Sequence, residues 1–277
     1  MTLAAAGSPT RPVAVIPAAL VSSAAVFLFW VMADLPGYAL LVAGVAGGFI
    51  TDRRGWSRRL GPDLLLIALA LTFISLISLH ADISPAGMMR FTLALGGAVV
   101  IPFVVSRFIY KEKSITFPWG GGRWTRRQWI YLIVVIVAAY LILPFYFLTS
   151  GVYRNWPAVV EWHEIARLFV GVNAVGLWDE LFFICTCYAL YLRHFRPWVA
   201  NVLQATIFTS FLWELGYQEW GPFLTIPFAL IQAVIFSWIK NLLYVVCVHL
   251  LFDAVVFLVI VHAHHPEALP IFPLVTG

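Results

Sequence analysis

The sequence predicts an all-α protein, a polytopic transmembrane helical bundle of about eight to nine spans. Composition is the first reason. Hydrophobic residues make up 62% of the chain and charged residues 11%, with a mean hydropathy of +0.92, whereas soluble domains carry about a quarter charged residues. The second is the recurrence of apolar runs close to the ~20 residues that a helix needs to cross hydrocarbon. The third is what is missing: ~10-residue segments of alternating polarity, the mark of an outer-membrane barrel, do not occur.

Nine runs can be read in order: 13–32, 35–51, 63–79, 87–109, 128–149, 165–192, 199–215, 222–239 and 241–261. Met1 to Thr10 lack the basic flank of a secretory signal, so run 13–32 reads as a retained span and not a cleaved peptide. The second run holds Gly44-xxx-Gly48, a spacing that lets neighbouring helices approach closely. Only Ala33-Asp34 separates it from the first, which implies a tight hairpin. Lys240 makes a similarly short joint between the last two runs. Between runs four and five lies Trp119-Gly120-Gly121-Gly122-Arg123-Trp124. Glycines, aromatics and arginines together suggest a surface segment resting on headgroups; a phosphate-cradling loop would need a following Lys-Ser/Thr. This loop divides the chain into N-terminal transmembrane helices, residues 1–127, and a second half, residues 128–277. The segment 150–164, with Tyr153, Arg154, Trp156, Trp162 and His163, reads as an interface anchor, and His262, His264 and His265 as headgroup-level residues past the last span. Cys185, Cys187 and Cys247 all fall inside apolar runs, which suggests small buried side chains and no disulfide framework.

Lys and Arg set the expected orientation. Arg11, Arg53, Arg54, Arg58, Arg59, Arg107, Lys111, Lys113, Arg123, Arg126, Arg127, Arg193, Arg196 and Lys240 fall on one side of the nine-span topology, 14 of the 17 basic residues. The N-terminus is therefore expected to be cytoplasmic. The net charge of +4 follows from this asymmetry and does not point to nucleic acid. High Ala, Val, Leu and Arg with few Lys suggest the plasma membrane of a bacterium.

Function is sought among ionisable groups in the spans, since each costs at least ~2.5–3.5 kcal/mol to insert and needs a reason to be there. Of thirteen acidic residues, Asp179, Glu180, Glu214 and Asp253 fall in or at the edge of spans. Trp178-Asp179-Glu180-Leu181 places two adjacent carboxylates in the middle of run 165–192. His249 and Asp253, at i and i+4, project from one face of the last span. Asn173, seven residues before Glu180, shares its helix face and is a candidate supporting partner. At ~1.5 Å per residue, Asp179 and Glu180 lie ~18–20 Å from the cytoplasmic helix ends, His249 ~13 Å, Asp253 ~19 Å and Glu214 ~22 Å. Three helices thus bring these groups to similar levels. A carboxylate there suits a general base for water, and a nearby histidine suits polarisation of a carbonyl or stabilisation of an oxyanion. Peptide hydrolysis uses both; proton transfer uses only the titratable chain.

The stretch 165–262 resembles the CPBP family (CAAX-processing and bacteriocin-processing intramembrane proteases, also called Abi). That family has a Glu-Glu-xxx-Arg helix, a Phe-xxx-His helix and a His-xxx-Asn/Asp helix. Asp179-Glu180-Leu181-Phe182-Phe183-Ile184 resembles the first, Ser210-Phe211-Leu212-Trp213-Glu214 stands in the place of the second, and His249-Leu250-Leu251-Phe252-Asp253 fits the third. The departures are Asp179 for glutamate, Ile184 for arginine, Ser210 for phenylalanine and Glu214 for histidine. Membrane proteases of the kind that cleave anti-sigma factors are similar in pairing an acidic second motif with His-xxx-Asp, but want a lysine in the first motif. The CPBP resemblance implies catalytic roles for Asp179, Glu180, His249 and Asp253 and a supporting one for Glu214. It leaves open a divalent metal such as zinc on Glu180, Glu214, His249 and Asp253, against an unassisted glutamate base. The expected partner is a membrane protein or peptide substrate in the lipid bilayer. The readings to separate are an intramembrane endopeptidase, a non-catalytic scaffold of the same fold, and a proton-coupled transport component.

Overall fold

A computed structural model describes residues 10–267 and 269–272; Met1 to Pro9, on which the signal-peptide reading partly rests, lie outside the described residues. Nine helical rods are found among the described residues, and no strand. They are α1 (Pro12–Trp30), α2 (Asp34–Arg53), α4 (Pro85–Ile109), α5 (Arg126–Ser150), α6 (Trp162–Leu192), α8 (Pro222–Ile239) and α9 (Leu242–His264), each long and apolar enough to cross a membrane, together with the shorter apolar α3 (Leu60–Ile74) and α7 (Pro197–Leu215). The chain is a multi-pass membrane protein. Its exposed face is rich in Leu, Val, Ile and Phe, as lipid requires.

The rods fall into two compact units: Met1–Ser78, Leu93–Thr116 and Phe182–Phe211 in the first, and Leu79–Thr92, Phe117–Leu181 and Leu212–Gly277 in the second. In the first unit, α1 and α2 form the expected hairpin. The two glycines of Gly44-xxx-Gly48 serve different neighbours. A Cβ on Gly44 would stand 2.6 Å from Val21 Cγ2 of α1, and one on Gly48 2.9 Å from Gly61 Cα of α3. Asp52 starts α3 by accepting from the N–H groups of Leu60 (3.1 Å) and Gly61 (2.8 Å), two donors without a partner inside the helix. At one end of this unit Asp63, almost wholly buried, accepts from Arg193 Nη1 at 2.8 Å and meets His194 Nε2 at 2.7 Å. Glu112 bridges Arg193 and Arg59, each at 2.6 Å. A deeply buried acid is thus held by two cation-capable groups, and a second acid shares one of them, Arg193.

In the second unit α9 packs against α5 and α6, around a core of Tyr146, Phe147, Trp156, Leu168, Val256, Val259, Ile260 and Phe272. Here two expectations are corrected. Trp156 is not an interface anchor: it is 5% exposed and stacks on Phe147 and Tyr217. His262 and His264 lie inside α9, not beyond it. His262 is buried and its Nδ1 meets the Leu269 carbonyl at 2.7 Å, while His264 Nε2 meets the carbonyls of Tyr153 (3.2 Å) and Trp156 (3.0 Å). The histidines prolong the last span because their rings supply partners to carbonyls of otherwise irregular chain. All three cysteines are free; Cys185 and Cys187 are buried as expected, and Cys247 is half-buried.

Candidate active site

α6 brings the first two groups. It is regular from Trp162 to Asp179 and then widens into a π-helical stretch over Glu180–Tyr188. Such widenings are uncommon and tend to fall at functional positions, because the looser turn re-aims side chains. Glu180 is 1% exposed and Asp179 4%. α9 brings His249 and Asp253, buried on one face as their i, i+4 spacing predicts.

The groups converge. Glu180 Oε1 meets His249 Nδ1 at 2.8 Å. His249 Nε2 lies 3.6 Å from Asp179 Oδ2 and 3.9 Å from Asp253 Oδ1, too far for hydrogen bonds but close enough for strong electrostatic interaction in a medium without water. With Nδ1 as the N–H that donates to Glu180, Nε2 is the nitrogen left to face a reacting group.

α8 supplies a third wall that sequence reasoning missed. Gln232 Nε2 donates to the same Glu180 Oε1 at 2.8 Å. Phe228, one turn earlier, sets its ring edge-on to His249 with centroids 5.0 Å apart. The signal was available in principle, since Gln232 is a buried amide in an otherwise apolar span. Its partner could not be read without the order of the helices. Gly176 on α6 is a second omission. A Cβ there would collide with Asp253 Oδ2 and stand 3.0 Å from Asp253 Cγ and 3.3 Å from His249 Cδ2, so only glycine lets α9 bring its acid this close.

Asn173 and Glu214 each make a bond to backbone. Asn173 Nδ2 donates to the Phe169 carbonyl one turn back on its own helix, at 2.8 Å. Glu214, at the end of α7, is buried and its Oε1 accepts from the Leu79 backbone N–H at 3.0 Å.

Both Glu180 oxygens are buried, yet only Oε1 is bonded. Glu180 Oε2, Asp179 Oδ1 and Gln232 Oε1 have no hydrogen-bond partner among the described residues. Buried oxygens of this kind are rare and costly, about 1–3 kcal/mol each, so a cluster of them calls for an explanation. They would suit a molecule that presents donor hydrogens, such as water or an amide. They fit a divalent ion less well: among the described residues no three His, Cys, Asp or Glu side chains are arranged to hold a metal, and His249 Nδ1 is already taken by Glu180.

Comparison with known proteins bears on the same residues. No curated protein and no solved structure matches the chain. Residues 161–255 match the model of a family described as Rce1-like, type II CAAX prenyl endopeptidase. The match runs from the start of α6 past Asp253 and takes in every group described above. Over residues 161–255 the chain is thus similar to the Rce1-like group of the CPBP family, a family of CAAX-type intramembrane proteases.

Proposed function

We propose that this protein is an intramembrane endopeptidase that hydrolyses a peptide bond of a membrane-associated protein or peptide, with Glu180 as the base. One observation carries the reading: Glu180 Oε1 is held by both Gln232 and His249 while Oε2, in the same buried carboxylate, is left unpartnered among the described residues. A carboxylate fixed through one oxygen and free through the other suits general-base work.

The steps follow. A water molecule near Oε2 gives a proton to Glu180 as its oxygen bonds to the scissile carbonyl carbon. The carbonyl π pair moves onto oxygen. His249 as the imidazolium, with Nδ1–H donating to Glu180, presents Nε2–H to stabilise that developing charge. Collapse of the tetrahedral species breaks the C–N bond, and the proton taken by Glu180 is returned to the leaving nitrogen. Asp179 and Asp253 hold the imidazole in place from the Nε2 side, and Gln232 orients Glu180. None of these steps requires Asn173.

A second reading has its own support. Glu214 stands where the family pattern has histidine, and its carboxylate is used to accept a backbone N–H. Ile184 stands where the pattern has arginine. Both suit a CPBP-type protein that keeps the fold as a membrane scaffold without proteolysis.

The test is cleavage of membrane-tethered peptides by purified protein in lipid. Wild type is compared with Glu180→Gln and His249→Ala, each with and without a strong chelator. Activity in wild type that both substitutions abolish supports the endopeptidase. A wild type inactive on a broad peptide library, with both variants folded, favours the scaffold. Loss of wild-type activity on chelation alone would overturn the unassisted glutamate base.

A further inference from the structure

We propose that the loop before α5 and the turn between α8 and α9 form a preorganised site for the phosphate of an anionic phospholipid. The loop is fixed in place. Leu242 N donates to the Pro118 carbonyl at 2.8 Å and Leu243 N to the Trp119 carbonyl at 3.3 Å. Tyr244 Oη donates to the Gln128 carbonyl at 2.8 Å. Trp124 lies between Trp129 and Tyr244, with centroids 4.9 and 5.1 Å away. Gly120 sits so close to Asn241 that a Cβ would strike its side-chain amide, so only glycine lets the loop meet this turn there.

The platform displays one sign of charge. Arg123, Arg126, Arg127 and Lys240 are exposed, and no Asp or Glu occurs in residues 113–160 or 220–252. The cations therefore have no acid on the loop, on α5, on α8 or on the first turns of α9 to neutralise them. The N-terminal end of α5 adds its own partial positive charge. Around them Trp119, Trp129 and Trp238 are 47%, 51% and 79% exposed.

Position selects the occupant. Arg126 and Arg127 are the first residues of α5, and Lys240 separates the last residue of α8 from the N-cap of α9. The patch thus lies where three spans leave the hydrocarbon. Exposed tryptophans at that level belong among headgroups and upper acyl chains, and cations there attract anionic lipid. An acidic soluble segment would satisfy the cations and leave the indoles in water. The site does not depend on any role of the buried acids.

The experiment uses full-length protein in nanodiscs of phosphatidylcholine doped with graded phosphatidylglycerol. Lipids retained on the protein are counted by native mass spectrometry. Phosphatidylglycerol should be enriched over phosphatidylcholine, and the enrichment should fall about fivefold for each cation removed among R123Q, R126Q, R127Q and K240Q. It should fall with added salt and resist inorganic phosphate, which separates a lipid headgroup from a free anion. Because these side chains are exposed, the melting temperature in detergent reports that the variants still fold. Equal retention of the two lipids, or an enrichment that survives the fourfold variant, overturns the proposal. Binding of an acidic peptide that depends on the same four cations in pure phosphatidylcholine discs, without phosphatidylglycerol enrichment, overturns it in favour of a protein partner.

Discussion

Gly176 and Gly171 lie on the same helix five residues apart, and their alanine variants should move stability in opposite directions. Helix propensity favours alanine at both, by up to about 1 kcal/mol. At Gly171 nothing lies within 4 Å of the added carbon, so that gain stands alone. At Gly176 the Cβ collides with Asp253 Oδ2, and Asp253 Cγ is only 3.0 Å away. Rotating the carboxylate about its terminal bond moves the oxygen but not Cγ, so the whole side chain must shift. Asp253 is itself 6% exposed and has no solvent to shift into. Overpacking of this kind costs about 1–3 kcal/mol, and against a propensity gain of about 1 kcal/mol a net loss of up to about 2 kcal/mol remains, while Gly171→Ala keeps its gain. At its upper end that corresponds to a melting temperature roughly 4–8 °C below wild type. Thermal unfolding of both variants in the same detergent, followed by circular dichroism, reads the difference. Displacement of Asp253 also disturbs the 3.9 Å approach to His249 Nε2, so Gly176→Ala should lower peptide cleavage while Gly171→Ala should not. Equal melting temperatures for the two variants would refute the argument that glycine is required for close packing of α6 on α9.

Three other outcomes follow from the geometry. Gln232→Leu removes one of the two groups that hold Glu180, at a cost of about 1–3 kcal/mol in stability for an under-satisfied buried carboxylate. It should lower cleavage about 10- to 100-fold, with little further loss in a Glu180→Gln background because the two act as one unit; full additivity in the double variant would sink the assignment. Asp63→Ala leaves Arg193 and His194 without their shared acid. Breaking a buried pair costs about 3–5 kcal/mol, but Arg193 is 30% exposed and keeps Glu112, so about 2 kcal/mol is expected; a melting temperature within error of wild type would show that the network is not stabilising. Asp82 lies in the segment before α4, outside the spans. The Ser84 hydroxyl, then the Ser84 backbone N–H, and also Arg90 hold its carboxyl below the ordinary 3.8. Because the folded value is the lower one, the unfolded chain binds the proton more readily. Its contribution to stability is therefore complete above about pH 4 and lost as the pH falls through the folded value. A carboxyl-carbon titration by NMR should place Asp82 below 3.8 and move it up in Ser84→Ala; a midpoint at or above 3.8 would contradict the bonding.

Much of the bundle was legible because hydrocarbon imposes a length. Each apolar run became a rod with bounds shifted by a few residues, and α9 runs on to His264, where His262 and His264 bond to carbonyls of Leu269, Tyr153 and Trp156. Faces were less legible than lengths. In a soluble helix the apolar stripe marks the buried side; in α8 or α9 almost every side chain is apolar, so periodicity carries little information about rotation. The π-helical stretch at Glu180 was invisible for the same reason. The seven-residue spacing of Asn173 and Glu180 likewise says nothing about which group a neighbouring helix presents, and α8 presents Gln232.

Within the site, residues differ in how far sequence alone could take them. The i, i+4 pair His249 and Asp253 needs only one helix and was recoverable. The Asp179-Glu180 pair was conspicuous because two carboxylates in hydrocarbon demand partners. Glu214 was conspicuous for the same reason, and one of its oxygens accepts the backbone N–H of Leu79. An intramembrane acid therefore announces that it must be satisfied, not that it is catalytic. What separates the two cases here is the state of the second oxygen in a buried carboxylate whose first is doubly held. Glu180 Oε2 is left open among the described residues beside an imidazole that has one nitrogen committed and one facing the site. That difference belongs to the packing of α6, α8 and α9 together, and no single helix contains it.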